Sequence, residues 1–191
     1  MKQTAVKTHV FKLTYSAICL AMAFVLPFVT GNIPEFGNML CPMHLPVLLC
    51  GFLCGWQWGL GVGFVAPLMR SLIMMRPPLY PTAIAMAFEL AVYGILAGLL
   101  YQTLSGRRGR TYIALLGAML GGRIVGGLVQ TILLSVDGEG YTMAFFFTEY
   151  FVKAWPGIIV QLILIPLAVG ALRKAKLTLN EKDMNYDRET V

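Results

Sequence analysis

Charge is scarce in this chain: only 13% of its 191 residues are Asp, Glu, Lys or Arg, while 58% are apolar. Soluble domains carry about 25% charged and about 45–50% apolar residues, so a soluble globular fold is excluded. Catalytic signatures are missing as well. There is no GxxxxGK[ST] phosphate loop, so the chain by itself does not hydrolyse ATP in the usual way. HExxH and GxSxG are absent, and no two carboxylates stand three or four residues apart in an apolar stretch. These gaps argue against an enzyme, with Glu89 and His44 as the one acid/base pair available to such a reading. The four cysteines, Cys19, Cys41, Cys50 and Cys54, lie in or beside apolar runs without a His or carboxylate set at ligand spacing. They read as small packing residues, and no metal or cofactor is expected. The net charge of +6 flanks apolar runs instead of forming a nucleic-acid surface.

What is present is a series of six apolar segments. A helix needs about 20 apolar residues to cross a bilayer core. The segments run from about Phe11 to Val29, His44 to Trp56, Trp58 to Met75, Tyr80 to Tyr101, Tyr112 to Leu134 and Thr148 to Leu172. The first is too long for the apolar part of a signal peptide and is read as a retained helix. The second is short and edged by Pro42 and Pro46. Little chain separates it from the third, so a tight hairpin near Gln57 is expected. With the N-terminus inside, the inner segments hold eleven basic residues and the outer loops only Arg76. That asymmetry predicts cytoplasmic N- and C-termini. The expected architecture is an all-α integral membrane protein, with six transmembrane helices in one compact bundle over 1–175 and a polar cytoplasmic tail over 176–191.

A few charges fall inside the apolar segments: Arg70, Glu89, Arg123 and Lys153, with Glu149 nearer an edge. A charge in a bilayer costs roughly 2.5–3.5 kcal/mol on insertion scales, so such residues pair, line a wet cavity or hold a ligand. In the predicted topology most of these groups, with Asn38, His44, Gln130 and Trp155, converge toward the outer half. Each also has a structural reading. Arg70 could pair with Glu89, and Lys153 could pair with Glu149 or snorkel. Arg123, between Gly121-Gly122 and Gly126-Gly127, could bond the carbonyls of a close neighbouring helix, and His44 could cap its helix. Gln130 and Gln161 read as hydrogen-bond links between helices or as ligand contacts. In the first segment Ala17 and Ala21 form a small-xxx-small strip suited to a second helix.

The residues Asn38-Met39-Leu40-Cys41-Pro42-Met43-His44-Leu45-Pro46, Gly51…Gly55-Trp56…Gly59-Leu60…Gly63, Ala66-Pro67-Leu68…Arg70 and Pro81-Thr82-Ala83…Met86-Ala87-Phe88-Glu89-Leu90…Tyr93-Gly94 carry a likeness. From about Leu13 to Leu172 the chain resembles the substrate-binding S components of energy-coupling factor (ECF) transporters, nearest the riboflavin and pantothenate group. The resemblance implies a subunit in a bacterial cell membrane that captures a water-soluble vitamin or related metabolite from outside. A transmembrane coupling subunit and two ATPase subunits would drive uptake. It implies a coupling interface at Ala17 and Ala21, a lid over Asn32–Met43, and a ligand site that includes Glu89, Arg123, Gln130 and Lys153. Asn38, His44, Arg70 and Trp155 complete the expected substrate-binding set. Aromatic residues Phe147, Tyr150 and Trp155 could stack on a flavin, whereas the cations suit an acidic ligand such as pantothenate. The competing expectation is a standalone secondary carrier of a small organic anion, with Glu89 or His44 as its proton site.

Overall fold

The computed structural model describes residues 2–29, 42–105, 109–136, 148, 152 and 154–175. Six α-helices stand among them: α1 (Lys2–Val29), α2 (His44–Cys54), α3 (Trp56–Met74), α4 (Ile84–Thr103), α5 (Arg110–Val136) and α6 (Trp155–Lys174). A π-helical turn over Leu79–Ala83 leads into α4. No strand occurs among the described residues.

Among the described residues four helical stretches are long and apolar enough to cross a membrane: Thr8–Phe28, Leu79–Thr103, Arg110–Val136 and Trp155–Lys174. α2 is apolar but has 11 residues, which at 1.5 Å each fall well short of a ~30 Å core. Large apolar side chains stand exposed around the bundle, among them Leu13, Val25, Leu72, Ile73, Leu128, Ile132, Ile163 and Leu167. Water does not tolerate apolar surface on that scale, and lipid does. This is a membrane protein.

α4 is the axis of the bundle and packs against α2, α3 and α5. Its span is 56% buried, against 22% for the spans in α1 and α6. Three neighbours fit because one α4 face is small: Ala87, Ala91, Gly94, Ala97 and Gly98 are all buried. A Cβ on Gly94 would collide with the backbone of Gly59 on α3, so the two helices cross at van der Waals contact of their main chains. The hairpin between α2 and α3 turns on one residue. Gly55 has φ 96°, where a side chain would be strained. The break therefore falls at Gly55, and Gln57 lies inside α3 and not at the turn.

Three tyrosines fasten α4 and the turn before it to α5. Tyr80 donates to the Leu133 carbonyl at 2.6 Å, Arg123 donates to the Tyr93 hydroxyl at 3.0 Å, and Arg110 donates to the Tyr101 hydroxyl at 3.0 Å. The order of these pairs makes α4 and α5 antiparallel. α1 starts earlier than the sequence indicates, at Lys2. Its buried side is Ser16, Cys19, Ala23 and Pro27, while Leu13, Ala17, Ala21 and Val25 form an exposed stripe. Cys19, Cys50 and Cys54 are buried in the core, with Ser16 Oγ 3.5 Å from Cys50 Sγ. They serve there as small packing residues; Cys41 lies outside the described residues.

Candidate functional site: a buried polar cluster between α2, α4 and α5

α4 carries Glu89 and Tyr93 four residues apart, so both project from one face. α2 starts opposite them. His44, its first residue, places Nε2 3.4 Å from Glu89 Oε1, and its ring meets the Tyr93 ring edge-on at a centroid separation of 5.0 Å. Arg123 on α5 closes the third side through its bond from Nε to the Tyr93 hydroxyl. All four side chains are buried. Glycine makes this approach possible: a Cβ at Gly126 would lie 2.7 Å from Glu89 Cβ, and one at Gly122 would enter the Tyr93 ring. The glycines flanking Arg123 thus bring α4 close, as their pattern predicts. Arg123 donates there to a tyrosine hydroxyl.

The cluster combines an imidazole, a carboxylate, a phenol and a guanidinium away from water. Taking charges out of water costs several kcal/mol per ion unless geometry and hydrogen bonds compensate, and a buried pair is weak evidence for stability. Such groups in a membrane interior belong by default to a binding or transfer site. Among the described residues His44 Nδ1 has no hydrogen-bond partner, and neither amide atom of the fully buried Gln161 has one.

The remaining expected site residues scatter. Arg70 does not pair with Glu89. Its Nε donates to the Arg76 carbonyl at 3.3 Å, next to Ser71 Oγ donating to the Pro77 carbonyl at 2.8 Å, so both hold the segment leaving α3. Because Gly63 abuts Leu90 in this antiparallel crossing, Arg70 sits about 10 Å along the axis from Glu89. His44 does not cap α2: its residue at the cap is Met43, which makes no side-chain cap bond. Gln130 is half-buried on α5, two turns beyond Arg123 on the same face. Trp155 is 57% exposed at the first residue of α6, apart from the buried cluster. Ala17 and Ala21 face outward from the bundle. Asn38, Lys153, Glu149, Phe147, Tyr150, the 32–41 part of the expected lid and the 176–191 tail lie outside the described residues. Sequence reasoning passed over Tyr93 as a site residue, although its spacing of four from Glu89 was the signal that would have found it.

A cleft of about 360 Å³ lies between α1, α2 and α6, lined by residues such as Met22, Leu45, Leu49, Leu164 and Ile165. Its lining residues are all apolar, so it offers a water-soluble ligand no hydrogen bond. The buried polar cluster is the better candidate.

The family model for the substrate-specific component of ECF transporters matches residues 11–169, most of the chain. The chain belongs to that family. No curated protein and no solved structure matches it. ECF substrate-specific components bind small substrates and work with a transmembrane coupling subunit and ATPase subunits. The matched region contains the whole polar cluster as well as Ala17 and Ala21. Within the matched region lie two candidate features of this ECF component, a buried polar set inside the bundle and an exposed small-residue stripe on α1.

Proposed function

We propose that this S component captures a water-soluble vitamin or related metabolite, riboflavin- or pantothenate-like, from outside a bacterial cell, in a site built on His44, Glu89, Tyr93 and Arg123. The observation that supports it most is the convergence of these four buried side chains from three helices. In this reading Arg70, Gln130 and Trp155, which stand outside the cluster, contact the ligand peripherally, and Asn38 and Lys153 are further contacts expected from the sequence. All six helices then belong to the membrane bundle, α2 as a short helix that spans only part of its depth, and both termini face the cytoplasm, as the basic residues favour. It catalyses no reaction; an ATP-driven module supplies the energy, with the coupling subunit seated on Ala17 and Ala21.

The test is direct. Protein purified in mild detergent and then denatured releases a bound small molecule, which mass spectrometry identifies. A stoichiometric vitamin-sized compound is expected, and a yellow preparation indicates a flavin. A preparation that holds no ligand and binds none of a panel of vitamins at micromolar concentration contradicts the proposal.

The His44–Glu89 contact at 3.4 Å favours one second reading, a proton-coupled carrier of a small organic anion. A carboxylate facing an imidazole in a low-dielectric interior is a workable proton site. The two readings part on Glu89.

A further inference from the structure

Gln161 occupies the second turn of α6 and is 0% exposed, yet among the described residues neither its Oε1 nor its Nε2 has a hydrogen-bond partner. Buried amides are nearly always satisfied, and one left bare bears the full desolvation of both atoms. A glutamine near lipid can turn its amide toward headgroups, but at this burial that escape is closed. Gln161 belongs to the buried stripe Gly157, Gln161, Ile165, Val169. One turn along that stripe, Ile165 shares the apolar cleft with Leu45, Pro46 and Leu49. Those residues follow His44 on α2, which packs against α6, and His44 Nδ1 is likewise a buried polar atom with no partner among the described residues. The link between helices that the sequence offered for Gln161 is not made.

We propose that Gln161 is a specificity-determining residue of the substrate site, and that its carboxamide pairs with a ring lactam or imide of the ligand. This rests on the vitamin-capture reading above and narrows its substrate class. A primary carboxamide presents one acceptor and one donor side by side. A cyclic amide presents N–H and C=O on the same edge, so two parallel hydrogen bonds form and both orphan atoms are satisfied. An open-chain secondary amide is trans, with N–H and C=O on opposite sides. It reaches only one of the two atoms and leaves the other bare. The bare pair therefore favours heterocycles with a lactam or imide edge, as in flavins, pterins and pyrimidines, whose donor and acceptor are fixed side by side. A pantothenate-like chain must order flexible hydroxyls to match both atoms.

The test compares binding of riboflavin, N3-methylriboflavin (whose imide N–H is blocked) and pantothenate to the purified full chain and to Gln161→Leu. Wild type is expected to bind riboflavin about tenfold to hundredfold more tightly than the methylated flavin. Gln161→Leu should lose that discrimination while its ligand-free Tm stays level or rises, because an unpartnered amide is replaced by an apolar side chain of similar size. A merely structural glutamine would shift Tm and leave the ratio between the two flavins intact. Equal binding of the two flavins by wild type, an unchanged ratio in the variant, or binding of pantothenate without riboflavin overturns the assignment while vitamin capture stands. Failure of wild type to bind any of a wider vitamin panel overturns both.

Discussion

At the scale of single residues, the site depends on how few groups share a dry volume. Glu89 faces His44 and sits against Gly126, so its carboxylate has little freedom to turn elsewhere. Glu89→Gln keeps the shape and removes the charge. A ligand held through this carboxylate loses a charge-assisted hydrogen bond, typically worth about 1.5–3 kcal/mol, so binding should weaken about tenfold to hundredfold in titration calorimetry. Unchanged binding together with loss of proton-linked flux would instead support the carrier. The embedded charges themselves were legible in the sequence, because polar residues in apolar runs are rare enough to stand out. Their partners were not. Arg70 and Glu89 look equally suited to each other until the antiparallel crossing of α3 and α4 sets them apart along the axis, and Glu89 takes an imidazole from the shortest helix.

At the scale of elements, α1 separates its two faces by residue size. Ser16, Cys19, Ala23 and Pro27 pack inward, while Ala17 and Ala21 lie between Leu13 and Val25 on the exposed side. Small residues on a membrane helix let another backbone approach closely, and none of the described helices covers these two. That is the geometry expected of a surface for the coupling subunit. Replacing both alanines with Trp should reduce vitamin uptake by cells to background while purified protein binds ligand within about twofold of wild type. Normal uptake in the double variant would make the stripe ordinary lipid-facing surface. The strip was visible from the spacing of two alanines, but the side it faces depends on where Cys19 and Ala23 find their contacts. The same limit applies to α2 and α3, whose separation rests on the single positive φ of Gly55.

At the scale of the whole molecule, the bundle is built around α4, with α1 and α6 more loosely applied at its sides. The chain has no phosphate-binding loop, and the substrate-specific components of its family work with separate ATPase subunits. Vesicles containing this chain alone should therefore bind the vitamin without concentrating it. Accumulation above the external concentration should require the coupling subunit, both ATPase subunits and ATP. Concentrative uptake by the chain alone would show that it is a carrier in its own right.

Composition and periodicity alone determined that this is an all-helical membrane protein, where its apolar segments lie, and which residues break their apolarity. Hydropathy acts locally, and a charge within an apolar run is conspicuous whatever surrounds it. Only the tertiary structure decided that His44, Glu89, Tyr93 and Arg123 share one volume while Arg70 and Trp155 stand apart. Only it showed Gln161 as a buried amide with nothing to bond. Those outcomes depend on which helices cross, in what register and how closely. Interhelical distance here is set by glycines at Gly59, Gly94, Gly122 and Gly126 meeting across contacts far apart in sequence, and no local pattern records such a meeting.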